Sequence, residues 1–153
     1  MALVGGAISM TVMAGCAGKQ SEQGTKPEAT QTNAEASYTV DYGTSELYTQ
    51  EDMDAAINAI MAEFGSWKGC TMQKIVYAGD EESTNNLAYC NELREAGSPE
   101  IAEAIVFKTD FHSPNAEEAE GTAWEPDTDY KDYSWILGRT MGESWQLLTW
   151  GYA

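Results

Sequence analysis

Hydropathy divides the chain into three parts. Residues 1–15 (MALVGGAISMTVMAG) form an apolar opening run. Residues 17–37 (AGKQSEQGTKPEATQTNAEAS) contain no Val, Ile, Leu, Met or aromatic side chain, and from Tyr38 onward apolar positions recur at regular spacings. A stretch without large apolar side chains cannot bury enough surface to offset its chain entropy, so residues 16–37 read as a flexible linker. The clearest periodic signal in residues 38–153 runs from Thr49 to Gly65. Met53, Ile57, Ile60, Met61 and Phe64 share one helical face with Ala56 beside them. Thr49 is a good N-cap, and Glu51, Asp52 and Asp54 put negative charge where the helix dipole favours it. Gly65 ends the helix.

Extended segments follow. Residues 70–77 (CTMQKIVY) are strand-like with an ambiguous alternation, and AGDEES at 78–83 reads as an acidic turn. Residues 84–96 predict a weaker second helix with Leu87, Cys90 and Leu93 inward, stopped by Gly97-Ser98-Pro99. The best strand is residues 102–111 (AEAIVFKTDF). Ile105, Phe107, Thr109 and Phe111 share its buried face, while Val106, Lys108, Asp110 and His112 share a wet one. Residues 115–129 are acidic and loop-like. Two strands, about 131–140 and 144–152, are joined by Met141-Gly142-Glu143 as a hairpin. Tyr133, Trp135 and Leu137 alternate on the first. On the second, Trp145 and Leu147 oppose Leu148, Trp150 and Tyr152. The predicted fold is α+β: one domain over 38–153, with a long amphipathic helix packed on a curved antiparallel sheet of about four strands.

Charge narrows the function classes. The 153 residues carry 8 Lys and Arg against 25 Asp and Glu, a formal net charge of −17. Such a surface repels phosphate backbones, which excludes nucleic acid as a partner, and it repels anionic lipid head groups too. There are three cysteines. Cys70 and Cys90 could pair in an exported domain or stay as two half-buried thiols. No CxxC motif or Cys/His cluster suggests a zinc site, and no cofactor is expected.

The opening run is too short to span a bilayer stably, and it ends in small residues followed directly by Cys16. Met13-Ala14-Gly15-Cys16 resembles the lipobox of bacterial lipoproteins, with Met13 standing where that motif usually carries Leu. The resemblance implies a lipoprotein signal peptide over residues 1–15, cut before Cys16, and acylation of the Cys16 thiol. It places the domain on the extracytoplasmic side of the cell membrane, lipid-anchored. Acyl chains, each buried CH₂ contributing about 0.8 kcal/mol, would hold an acidic protein that the membrane surface itself repels. The 21 residues of linker have an r.m.s. span of about 25 Å, enough to lift a small domain off the head groups. The stretches YTQEDMDAAINAIMAEF, WKGCTMQKIVYAGD, DFHSP and SWQLLTWGY resemble an uncharacterised family of bacterial lipoproteins whose domain has no assigned function. That likeness implies surface anchoring and a cone-like fold; it supplies no catalytic residue. The order of elements is similar to small cystatin-like and nuclear-transport-factor-2-like cones.

Candidate chemistry is sparse. Asp110 and His112 lie two apart on a strand, so their side chains share a face, and a carboxylate beside an imidazole can orient a general base. No recognisable Ser or Cys nucleophile accompanies them, which leaves proton transfer in a cone-fold isomerase or hydrolase as the enzymatic alternative. Asp127, Asp129 and Asp132 suggest a calcium loop, but Lys131 and Asp132 stand where an EF-hand needs a ligand and a Gly. Asp80, Glu81 and Glu82 are consecutive, so their carboxylates diverge into a solvated acidic surface. Trp124, Trp135, Trp145 and Trp150, with Tyr130, Tyr133 and Tyr152, crowd the last thirty residues. Most are expected in the core; Trp135, Trp145 and Trp150 are the candidates for a ligand-binding groove on the sheet, with Asp110 and His112 at its rim. The reading is thus a binding or interaction module for a protein, peptide or sugar, not an enzyme.

Overall fold

The structure, a computed structural model, describes the backbone of residues 30–32 and the whole of residues 37–152. The expected signal peptide, Cys16 and most of the linker lie outside the described residues. The elements, in chain order, are β1 (Thr30–Thr32), β2 (Thr39–Asp41), α1 (Gln50–Phe64), β3 (Thr71–Tyr77), α2 (Asp80–Asn85), α3 (Leu87–Leu93), β4 (Glu103–His112), α4 (Ala116–Ala119), β5 (Asp129–Arg139) and β6 (Gln146–Gly151).

The class is α+β, and the strands pair in chain order, β1-β2-β3-β4-β5-β6. Three expectations need correction. The sheet is mixed, not antiparallel: β2 runs parallel to β3, because α1 lies between them in the chain and carries it back to the same end. The count is five strands from β2 to β6, with β1 added outside β2, rather than about four. The helix α1 has 15 residues, an ordinary length rather than a long one. Both extra strands are three residues long. They carry too few apolar side chains to show a period, and in β1 pairing is a backbone matter: Thr30 stands opposite Asp41 and Thr32 opposite Thr39, inside the segment expected to be linker.

α1 forms as its sequence requires. The Thr49 hydroxyl accepts the Asp52 N–H at 3.2 Å while the Asp52 carboxylate accepts the Thr49 N–H at 3.1 Å, a reciprocal cap. Met53, Ala56, Ile57, Ile60 and Phe64 are buried against the sheet. Residues 80–93 form two short helices instead of an acidic turn and one helix. Asp80, Glu81 and Glu82 fall in the first turn of α2, where their charge is favourable. The break falls at Asn86.

The sheet is covered on both faces. On the α1 side the core is built from Met72, Ile75 and Tyr77 of β3, Ile105, Phe107 and Phe111 of β4, and Tyr133, Trp135 and Leu137 of β5. On the other side Cys90 of α3 packs with Ile101, Ala104, Val106 and Ile136. The face of β4 expected to be wet is therefore split. Ala104 and Val106 are buried beneath the α3 side, and only Lys108, Asp110 and His112, farther along, reach solvent. Gly138 belongs to this packing, since a Cβ there would stand 2.8 Å from Ile101 Cγ2 and 2.9 Å from Leu148 Cδ1. A bulge between Ile136 and Leu137 leaves Leu148 without an opposite residue, so Leu147 faces the α1 core and Leu148 the α3 cluster. Trp150, opposite Trp135, then returns to the α1 side. The sequence reading placed Leu148 and Trp150 on one face; the extra residue in the ladder separates them.

Candidate functional site

The aromatic side chains assemble around Trp67, which the loop after α1 holds in place. The Trp67 N–H donates to Phe64 O at 2.9 Å, and the Cys70 N–H donates to Trp67 O at 3.2 Å. The Trp67 ring stacks on Trp135 at 5.0 Å and leans on Trp124 at 4.8 Å. Trp135 stacks in turn on Trp150 at 5.9 Å, and Tyr133 meets Tyr152 edge to face at 5.2 Å. Close approach at the base of this loop is secured by Gly69, whose φ of +75° and position 2.5 Å (as a Cβ) from Pro114 Cβ admit no side chain. Trp67 was not among the sequence candidates. Its signal was its place in Trp67-Lys68-Gly69, just past the helix-ending Gly65, outside any periodic run.

Burial sorts the nominated tryptophans. Trp135 is fully buried, and its indole N–H donates to Thr109 Oγ1 at 2.8 Å, which makes it a core residue. Trp145 is also buried, at a different place. It meets Tyr48 edge to face at 5.6 Å and lies under the Arg139 guanidinium at 4.2 Å. Arg139 is tied to Glu103 through Nε at 2.6 Å and to Asp52 through Nη1 at 2.8 Å. Trp145 and Arg139 also line an open cleft of about 700 Å³ beside the start of α1. Trp150 is the nominated tryptophan that reaches solvent, 41% exposed, with Tyr152 beside it at 62%. The three tryptophans thus do not converge on one groove.

Asp110 and His112 share a face of β4, as the alternation requires, but each is engaged by a different part of β5. Asp110 accepts the Asp132 N–H at 3.1 Å and faces Lys131 Nζ at 3.5 Å. His112 Nδ1 meets Asp129 Oδ1 at 2.9 Å, and Nε2 lies 3.8 Å from Asp127. The His112 hydrogen bond, followed by one from Gln73, holds the Asp129 carboxyl below its ordinary range. Asp127 and Asp132 have φ of 48° and 52°, values Asp tolerates better than most residues. The Asp132 conformation goes with a bulge that sets Lys131 and Asp132 against Asp110. Neither Asp110 nor His112 lines the cleft beside α1.

Cys70 and Cys90 are both free and sit in different clusters on opposite faces of the sheet, so the possible disulfide is not formed. Burial pushes both thiols up, Cys90 to about 11, so neither is an activated nucleophile. Among the described residues no three His, Cys, Asp or Glu side chains gather as a metal site, and no helix is long and apolar enough to cross a membrane.

Fold and surface together define an α+β domain, with one aromatic surface at the β6 edge of the sheet. Against protein families, curated proteins and solved structures alike, the chain finds no match.

Proposed function

We propose that the chain is a lipid-anchored, extracytoplasmic binding module, tethered through an acylated Cys16, that engages its partner at the aromatic surface around Trp150. The observation that carries the binding role is the exposure of Trp150 and Tyr152 on top of an otherwise buried aromatic stack. A rigid ring backed by packed rings loses little entropy when a ligand covers it, which is the usual character of an energetic hot spot. The anchor is supported by the likeness of residues 13–16 to a lipobox and by the polar linker behind it. The finer fold reading, a cystatin-like or nuclear-transport-factor-2-like cone, belongs to this proposal and draws on element order alone. The enzymatic alternative needs Asp110 and His112 to act on one substrate; each is engaged by a different partner, Asp110 by the Asp132 N–H and His112 by Asp129.

Two measurements test the proposal. Replacing Cys16→Ser should release the protein from membranes and remove the acyl mass from the intact polypeptide; protein still attached to vesicles would overturn the anchor. Thermal-shift screening against cell-wall sugars and secreted peptides should yield a ligand whose effect is lost in Trp150→Ala while the melting temperature of the free variant stays near that of the parent. A variant that unfolds, or a ligand unaffected by the change, would remove Trp150 from the role.

A further inference from the structure

The β6 edge carries more than an aromatic surface. β1 covers the outer side of β2, whereas no described strand pairs with the outer side of β6. Natural edge strands are guarded by charges, prolines or shortness. β6 has six residues and is part of residues 144–153 (SWQLLTWGYA), which hold no charged residue and no proline in a chain of net charge −17. Of the six exposed large apolar side chains among the described residues, five lie on β6 or beside it. Tyr89 and Leu93 are on α3, Met141 is in the β5–β6 connection, Trp150 is in the strand, and Tyr152 follows it.

Tyr89 and Leu93 border a channel between α3 and the edge, on the face of the sheet opposite the Trp150 and Tyr152 rings. Tyr89 borders, with Ser134, Ile136 and Thr149, a pit of about 100 Å³, the size of one small apolar side chain. Leu93 faces Gln146 and Leu148 across an open cleft of about 530 Å³ whose charged lining is Arg94, Glu95 and Glu143. Tyr89 and Leu93 are one helical turn apart, about 6 Å along α3. Alternate side chains of an extended strand repeat every ~6.7 Å. A strand laid along β6 would therefore present successive same-face side chains to the pit and then to the cleft.

We infer that the partner recognised at this surface is an extended polypeptide segment of net positive charge, which adds to the sheet as a strand beside β6. Backbone hydrogen bonds to β6 supply affinity. An apolar side chain in the Tyr89 pit, with a second apolar or basic one in the Leu93 cleft, sets register and sequence preference. The positive charge follows from the acidic surface as a whole and from Glu95 and Glu143 outnumbering Arg94 along the cleft, where the Arg94 guanidinium donates to Ser98 O. This inference rests on the binding role proposed above and names its partner class.

A phage-displayed library of linear dodecapeptides, panned on the full chain, tests it. Enriched peptides should be basic, with an apolar residue two positions from an apolar or basic one. On binding they should slow hydrogen exchange of the β6 amides at least tenfold. N-methylation of the alternate peptide residues that face β6 should weaken binding about tenfold or more, and N-methylation of the other set should not. The double variant Tyr89→Ala/Leu93→Ala, truncated at exposed positions, should keep its melting temperature and lose about tenfold in affinity. Peptides that bind equally well with either set methylated would overturn strand addition and leave the aromatic surface as a binding site. So would enrichment of no peptide while a sugar ligand dependent on Trp150 is found. Dimerisation of the chain that protects β6 without any peptide would assign the edge to a second copy and overturn the inference too.

Discussion

Two side chains show how single residues carry the core and what removing them should do. Trp135 is fully buried, stacked between Trp67 and Trp150, with its N–H on Thr109. Trp135→Ala should cost about 3–5 kcal/mol, the usual range for emptying such a volume, measured by urea unfolding. A loss below 1 kcal/mol would mean that the stack is not part of the core. Tyr48 donates to Ala104 O at 2.7 Å and meets both Tyr77 and Trp145 edge to face. Burial first, then the neighbouring Tyr77 and Glu103, push its hydroxyl up to about 12; burial and the hydrogen bond to Asp54 do the same for Tyr42. A folded value raised above the unfolded one, about 10, keeps its stabilisation whole below that pH and loses it as pH rises toward 12. Stability should therefore hold up to about pH 10 and fall steeply beyond it. Tyr48→Phe should make that fall shallower while lowering neutral-pH stability by about 1–2 kcal/mol, since Ala104 O then lacks its donor. An unchanged alkaline slope in Tyr48→Phe would show that this hydroxyl does not govern it.

Elements differ in how far the sequence reveals them. α1 and β4 were legible because each presents a run long enough to show its period and, for α1, its cap. β2 and β1 were not, because three residues make no period and their stability comes from backbone pairing to a neighbour the chain reaches only later. The split of β4 into a covered and a wet half depends on where α3 ends, and the reversal of Leu148 and Trp150 depends on one unpaired residue; both are tertiary facts. The same limits apply to the site. Trp150 could be nominated from composition, but so could the buried Trp135 and Trp145, while Trp67 and Tyr89 gain their roles only through packing. Arg139 gives a test of how elements are joined. It binds the first turn of α1 through Asp52, the start of β4 through Glu103 and the approach to β6 through Trp145. Its partners hold it charged, the Glu103 hydrogen bond foremost, and the Asp52 carboxyl is held low by Thr49 and then by Arg139. Arg139→Met keeps the stem and leaves two carboxylates unneutralised, so a loss of about 2 kcal/mol is expected, below the range for a fully buried pair because these groups are partly solvated. Urea unfolding with an unchanged slope and a lower midpoint would agree; an unchanged midpoint would reduce Arg139 to a surface ion pair.

At the scale of the molecule the governing quantity is charge, 25 acidic residues against 8 basic ones, with the final ten residues carrying none. Self-repulsion of a net charge of −17 opposes compaction, and salt screens exposed charges over about 10 Å at 0.1 M. The Arg139 pairs, which salt would weaken, are partly buried and so are screened less. Repulsion should therefore dominate the response: raising NaCl from 10 mM to 0.5 M should lift the melting temperature by about 3–5 °C, on the order of 1 kcal/mol for a domain of this size. A fall in melting temperature would mean that ion pairs outweigh repulsion. Binding of a basic strand at β6 should respond in the opposite sense, because the same screening removes its attraction to the acidic rim while leaving the backbone pairing and the Tyr89 pit untouched. Association should slow with salt while dissociation changes little, a split that stopped-flow measurement with an enriched peptide reads directly. Equal loss in both rates would point to contacts made by charge within the channel itself rather than by an acidic surface that only draws its partner in.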